Sequence, residues 1–228
     1  NYFDDDLKKI IKESLTINDE KLNEAYSAQA KPFSIVTDFL SDGNINNHIE
    51  LYKEYVKNFN ETSAKLDTVD RSQAASNHSE YRSLKIDETF NMNAAYLHEL
   101  YFANIGDSAS KITMDSLSYM RLARDFGTFD DWQKDFIACG KSSRNGWVIT
   151  YLNIYTQAYM NVAVDSHEIN VPVGMIPVIV MDVWQHAYYR DYLKDVSTYL
   201  SAMMKQLRWN VIEERFKKAD KIVQIIRS

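Results

Sequence analysis

Asp182 and His186 stand four residues apart and can form two corners of one metal site. A carboxylate and an imidazole together suit a mid-sized divalent or trivalent ion such as manganese or iron, which accepts mixed nitrogen and oxygen ligands. Val183 and the aromatic residues that follow His186 would keep water away from such a site. The expected chemistry is that of a redox metal, although this spacing alone is too common to establish one.

The eight residues from Asp182 to Tyr189 carry a more specific signal. They are Asp-Val-Trp-Gln-His-Ala-Tyr-Tyr. This string resembles the Asp-x-Trp-Glu-His-Ala-Tyr-Tyr signature of the iron/manganese superoxide dismutases, with Gln185 in place of the signature Glu. The resemblance implies that Asp182 and His186 bind one manganese or iron ion per chain and that Trp184 lines the pocket. It also implies that superoxide is the substrate and that dioxygen and hydrogen peroxide are the products.

Two further histidines lie in segments that resemble the ligand motifs of this family. The interval from Phe90 to His98 matches the family's second-ligand motif, which implies His98 as a ligand. Residues 40–48 resemble the segment that ends in the first ligand, which favours His48. Counting back without a gap from Tyr55, the candidate gateway tyrosine, puts Asn47 there instead. A one-residue deletion or a local change of helix winding would reconcile the two alternatives.

The chain departs from the family pattern around the implied site. A Gln that binds the metal-bound solvent is implied at Ala94 or Ser143, and neither residue can replace it. Gln185 removes a charge from the usual dimer contact, so the usual dimer is not assured. We expect His78 and His167 to be ordinary residues, the latter in a hairpin turn.

Composition limits the classes of partner. The chain has 228 residues, of which 45% are hydrophobic, which is enough for a substantial core. Its formal net charge of -6 and the lack of a basic stripe argue against nucleic acid, and no run of about 18 apolar residues suggests a membrane span. The first residues resemble neither a signal peptide nor a transit peptide, and the start at Asn1 instead of Met favours a fragment or a processed product, which leaves an earlier targeting segment open. Cys139, in an apolar setting, favours a buried thiol, so we expect a cytoplasmic location or a place in a soluble assembly.

Periodicity predicts an α+β fold with a helical hairpin before an α/β domain that contains a small three-stranded antiparallel sheet. We expect an amphipathic helical extension over 1–32, a hairpin domain over 33–108 and an α/β domain over 109–228. The predicted helices are a long first helix that starts near Ser41, a return helix from near 87 or 89, and helices at about 111–125, 129–139, 185–192, 196–206 and 210–228. The predicted strands are 147–155, 158–164 and 178–182, with a turn at 165–168 between the first two strands.

Three functions are compatible with these patterns. The first is an active metal-dependent superoxide dismutase. The second is a superoxide dismutase-like structural or assembly protein, a homo-oligomer or a subunit of a larger particle joined through the N-terminal extension. The third is a redox or conformational sensor. The position of His48 or Asn47 beside His98, Asp182 and His186 discriminates between them.

Overall fold

The computed structural model describes residues 27–106 and 109–227, which form two long helices followed by a region with a three-stranded sheet. The described helices, numbered α1 to α7, are Asp42–Thr68, Glu80–Ala103, Leu117–Phe126, Phe129–Ser142, Gln185–Tyr192, Val196–Met203 and Trp209–Arg227. None of these helices is both long and apolar enough to cross a membrane. The strands β1 to β3 are Gly146–Asn153, Tyr159–Asp165 and Met175–Asp182. The predicted α+β class is confirmed, while most of the predicted extension, residues 1–26, lies outside the described residues.

Helices α1 and α2 pack against each other as a hairpin. Each begins after a serine that caps it: Ser41 accepts a hydrogen bond from the Asn44 N–H, and Ser79 accepts one from the Arg82 N–H. Helix α2 therefore starts at Glu80, about two turns before the predicted start near residue 87 or 89. The prediction was wrong because only Leu84 is buried among residues 80–87, so these turns lack an apolar face to detect.

Strand β1 is the middle strand and pairs antiparallel with both β2 and β3. Helix α4 packs on β1 and β2, and helices α2 and α7 pack on β3. Because β2 and β3 both run opposite to β1, they end at the same edge of the sheet, where Asp165 pairs with Gly146 and Asp182 with Trp147. The predicted turn at 165–168 was misplaced: it follows β2 and leads to β3, not from β1 to β2.

The end of α2 is tied to the middle of β3. The Asn104 side chain donates to the Val180 carbonyl and accepts from the Val180 N–H, each at 2.9 Å. Arg215 of α7 donates to Asn104 Oδ1 at 3.0 Å and to the Leu100 carbonyl at 2.8 Å. These bonds bring His98, less than two turns before Asn104, to the end of β3.

Residues 27–37 cross the hairpin without helix or strand. The Ala28 backbone exchanges two hydrogen bonds with the Asn60 side chain, each at 2.8 Å, and the Lys31 N–H donates to the Tyr52 hydroxyl at 2.9 Å. Pro32 disfavours a helical conformation at Lys31. Residues 27–32, the part of the predicted helical extension that the structure describes, are therefore not helical and lie against the hairpin.

Glu213 of α7 caps the start of α3. Its carboxylate accepts the backbone N–H groups of Leu117 and Ser118, both at 2.9 Å, where the helix dipole also favours a negative charge. Burial disfavours the charged carboxylate, but the hydrogen bonds from Ser118 and Leu117 outweigh it, so the pKa of Glu213 is lowered. The ionised group therefore stabilises the fold above its unfolded pKa of about 4.3, and this stability is lost as the pH falls through the folded-state pKa.

We expect Glu213→Gln to lower the free energy of unfolding at neutral pH by about 1–2 kcal/mol, because the amide offers a single, uncharged acceptor oxygen. The free energies of unfolding of the variant and the wild type, measured by urea titration, should differ most at neutral pH and become equal as the solution is acidified. Glu214→Gln, which changes the neighbouring exposed carboxylate, is the control and should stay within about 0.5 kcal/mol of wild type. An equal loss at all pH values would contradict a role for the charge.

Candidate metal centre

Four side chains from four separate elements meet in one cluster. His48 comes from α1, His98 from α2, Asp182 from the end of β3 and His186 from the first turn of α5. One donor atom of each lies within 4.8 Å of the others. His48, His98 and Asp182 are at most 3% exposed, whereas the His186 side chain is 25% exposed. The cluster is therefore enclosed by the hairpin and the sheet and reaches the surface at His186.

Asp182 lies at the centre of the cluster. Its Oδ2 atom is 3.0 Å from His48 Nε2, 3.2 Å from His186 Nε2 and 3.5 Å from His98 Nε2. Its Oδ1 atom accepts the Trp184 backbone N–H at 2.8 Å, which orients the carboxylate. Three imidazole nitrogens and one carboxylate oxygen are thus gathered as the donors of a single ion would be.

His98 shows that a cation fits this cluster. Its Nδ1 lies 2.6 Å from the Ala94 carbonyl, which can only accept, so Nδ1 carries the proton. The Nε2 of the neutral ring is then a lone pair, and it is buried without a hydrogen-bond partner among the described residues. This lone pair lies 3.5 Å from the Asp182 carboxylate oxygen, an arrangement that a shared cation would stabilise. The donor set suits manganese or iron.

The charge states of these groups also suit a metal. Burial lowers the pKa of His48 and lowers the pKa of His98 well below its ordinary value. Burial alone would raise the pKa of Asp182, but His186 and His48 outweigh burial and lower it. Near neutral pH His48 and His98 are therefore neutral and Asp182 is ionised, which are the forms that bind metals.

His48, and not Asn47, lies in the cluster. Asn47 is exposed on the outer side of α1. Helix α1 is α-helical from Asp42 to Thr68, so no change of winding separates the two alignments. His48 and Tyr55 are seven residues apart, about two turns, which places both on the inner face. A one-residue deletion relative to the resembling family segment accounts for both matches.

The predicted pocket residues Tyr55 and Trp184 both lie beside the cluster and are half-buried. The Tyr55 ring is 5.3 Å from the His98 ring, and the Trp184 ring stacks on the His186 ring at 5.7 Å. Burial, and secondarily the charge of Asp182, raises the pKa of Tyr55 to about 12, so its phenol keeps its proton near neutral pH. These two rings form part of the wall at the open side.

His167 is the site residue that the sequence did not reveal. It is fully buried, and its ring lies 5.0 Å from both the Tyr55 ring and the Trp184 ring. Burial lowers its pKa to about 4. His167 does lie in a turn, but this turn follows β2, whose end shares an edge of the sheet with Asp182, so the imidazole lies beside the cluster. Correct strand connectivity was the signal that could have identified it.

Neither position at which the resemblance implied a Gln offers a polar side chain to the cluster. Ala94 contributes only its backbone carbonyl, to His98. The Ser143 hydroxyl donates to the Val164 carbonyl at 3.0 Å and is thereby directed to β2. His167 is a further polar side chain beside the donors, with its ring 6.0 Å from the His98 ring.

A helical hairpin and an α/β region that enclose three histidines and one aspartate define a metalloprotein with a single mixed nitrogen and oxygen site. A family model described as iron/manganese superoxide dismutases, C-terminal domain, matches residues 116–215. "Superoxide dismutase [Fe]" of Aquifex aeolicus is 36% identical over 192 residues, which cover 82% of this chain and 89% of that protein. "Superoxide dismutase [Mn] 1" of Halobacterium salinarum is 28% identical over 176 residues, which cover 75% of this chain and 84% of that protein. The chain belongs to the iron/manganese superoxide dismutase family, as its sequence motifs predicted.

Proposed function

We propose that this chain is a superoxide dismutase that uses one manganese or iron ion, bound by His48, His98, Asp182 and His186. The observation that carries the proposal is the convergence of these four donors within 4.8 Å. Relatives named as iron and manganese superoxide dismutases support the same reaction. A metal-free structural role has less support, because the buried His98 Nε2 would then lack any partner in the described cluster.

The bound ion supplies a change of oxidation state, by which one superoxide loses an electron to become dioxygen and the next gains it. Formation of hydrogen peroxide from the second superoxide also consumes two protons. The protein therefore has to admit a small anion and protons while it holds the donors still. His186 is the donor that reaches the surface, so we expect superoxide and protons to enter beside it, and the bond from the Trp184 N–H to Asp182 holds the carboxylate.

Tyr55 and Trp184 give the pocket an aromatic wall that limits the water around the donors. With its raised pKa of about 12, Tyr55 keeps a hydroxyl proton available beside the cluster at neutral pH. Hydrogen bonds around a metal site tune both its potential and its protons, so the neighbours of the four donors contribute to the reaction rate.

Metal removal and reloading test the proposed function. We expect the chelator-stripped protein to lose superoxide consumption, and reloading with manganese or iron to restore it at about one ion per chain. Zinc is the control, because it suits histidine and carboxylate ligands but has no redox chemistry, so zinc-loaded protein should stay inactive. Full occupancy by manganese and by iron without superoxide consumption would overturn the proposal.

We also propose that the chain forms a homo-oligomer. Helix α5 and the residue after it leave Tyr189 45% and Leu193 63% exposed, close to Gln185 and the open side of the site. Exposed apolar side chains with a polar rim are typical of interaction surfaces. Light scattering on the reloaded protein measures the assembly, and a monomer at all concentrations would contradict it.

A further inference from the structure

We infer that a groove between helices α2 and α7 binds a small amphiphilic carboxylate, with its apolar body in the groove and its anionic head on Arg215 and Lys218 of α7. The groove is separate from the metal centre. Leu100 lines it, whereas His98, two residues earlier on α2, belongs to the metal cluster. Positions two residues apart differ by about 200° round a helix, so the groove lies on the opposite side of α2 and the inference does not depend on the proposed function.

The walls of the groove are held in place by the fold. Helices α2 and α7 both pack on β3, and Lys31 and Phe33 line the groove as well. The Lys31 N–H is fixed by its hydrogen bond to the Tyr52 hydroxyl at 2.9 Å. The groove has a volume of about 620 Å³, which lies within the range of about 300–1,000 Å³ that is typical of small-molecule sites. A preformed groove of this size suits a small ligand better than a protein partner.

The surface of the groove is mainly apolar. The side chains that make it so are Phe33, Tyr96, Leu100, Ala103 and Val211. None of these residues is fully buried, and Tyr96 is 53% exposed. An apolar ligand that covers them removes apolar surface from water, which is favourable. The main part of the ligand is therefore expected to be apolar.

Arg215 brings a positive charge to this apolar surface. Its guanidinium donates to Asn104 Oδ1 at 3.0 Å and to the carbonyls of Val178 at 3.3 Å and Leu100 at 2.8 Å, all of them uncharged oxygens. No carboxylate of residues 27–106 or 109–227 forms an ion pair with it. Burial lowers its pKa to about 10, which still leaves the group charged at neutral pH. A charge that is partly removed from water without a counter-charge is costly, so an anion in the groove would stabilise it.

The carboxylates of the groove are already paired, but Lys218 is not. Glu99 forms an ion pair with Lys31, and Glu214 forms one with Lys217. Lys218 is exposed at the groove and has no ion-pair partner within the described part of the chain. The α7 wall therefore carries a second uncompensated positive charge beside that of the guanidinium, and the charge of the groove is complementary to an anion.

The remaining N–H groups of Arg215 indicate which anion fits. A guanidinium has five N–H groups, and the three hydrogen bonds that it makes with described residues use two on Nη1 and one on Nη2. The other two, on Nε and Nη2, are neighbours on the guanidinium, and such a pair matches the two oxygens of a carboxylate. An apolar body with a carboxylate head is thus the ligand that satisfies both parts of the groove.

Calorimetric titration of the metal-loaded protein with octanoate tests the site. We expect one octanoate to bind per chain. Octanamide keeps the apolar body but lacks the charge, and it should bind at least about tenfold more weakly. Hexanoate keeps the charge but lacks two CH₂ groups, and it should also bind about tenfold more weakly. Absence of octanoate binding, or equal affinities for octanoate and octanamide, would overturn the inference.

Two substitutions test where octanoate binds. Val211→Glu puts a carboxylate into the groove near the start of α7, where the helix dipole tolerates a negative charge, and Lys218→Glu reverses the charge of the exposed lysine. We expect each to weaken octanoate binding at least about tenfold at unchanged metal content. Lys221→Glu is the matched control, because it makes the same change of charge at an exposed residue of α7 outside the groove. Its affinity should stay within about twofold of wild type. Wild-type affinity in Val211→Glu and Lys218→Glu, as expected for octanoate bound to the metal ion, would overturn the inference.

Discussion

Replacing Asp182 by Asn should empty the metal centre while the fold persists. The carboxylate is fully buried and supplies the negative charge of the donor set. Asn has nearly the same shape and can still accept the Trp184 N–H through its oxygen, but it cannot balance the charge of the ion. We expect metal content to fall below about a tenth of an ion per chain and superoxide consumption to fall at least about a hundredfold, because a neutral amide is a much weaker metal ligand than an ionised carboxylate.

Metal analysis, activity per chain and circular dichroism on the same preparation measure this result. Asp191→Asn is the matched control from helix α5. Its carboxylate accepts the Ser41 N–H at 2.9 Å and the Asn44 side-chain amide at 3.0 Å, so it holds the start of α1 and is not one of the four donors. This control should keep the metal and lose at most about 2 kcal/mol of stability. Full metal content in Asp182→Asn would contradict the central role of Asp182.

His48→Ala should lose the metal, whereas Asn47→Ala should keep it. His48 Nε2 lies 3.0 Å from Asp182 Oδ2 and is buried, but the Asn47 side chain, about 100° further round α1, is exposed. Removing a direct ligand should weaken metal affinity by more than the roughly 10–100-fold typical of its hydrogen-bonding neighbours. We therefore expect at least about a hundredfold weaker binding for His48→Ala and no measurable change for Asn47→Ala.

Competition with a chelator of known affinity measures both variants on the same scale. The pair is well matched, because the two changes are adjacent on one helix and both replace a polar residue by a good helix former. Loss of metal in Asn47→Ala with retention in His48→Ala would mean that the ungapped alignment describes the working protein. Loss of metal from both variants would mean that metal binding depends on an intact start of α1 and not on His48 as a ligand.

Short sequence motifs correctly predicted the features that depend on residues close together in the chain. The signature from Asp182 to Tyr189 identified the family, and the serine before α1 marked that helix start. The motif from Phe90 to His98 predicted that His98 is a ligand, and the helical hairpin brings His98 beside Asp182. Signals were weak where helical residues face solvent, as at the start of α2, since no apolar period appears there.

The sequence by itself determined the family, the α+β class and three of the four side chains that meet in the cluster, because short motifs specify these. Tertiary structure decided between His48 and Asn47. Neighbours on a helix differ by about 100°, and the packing of α1 against α2 and α5 turns His48 towards Asp182. It also brought His167 to the site, because β2 and β3 flank β1 and end at one edge. Which strands pair over long distances in the sequence cannot be predicted from the periodicity of the residues within each strand.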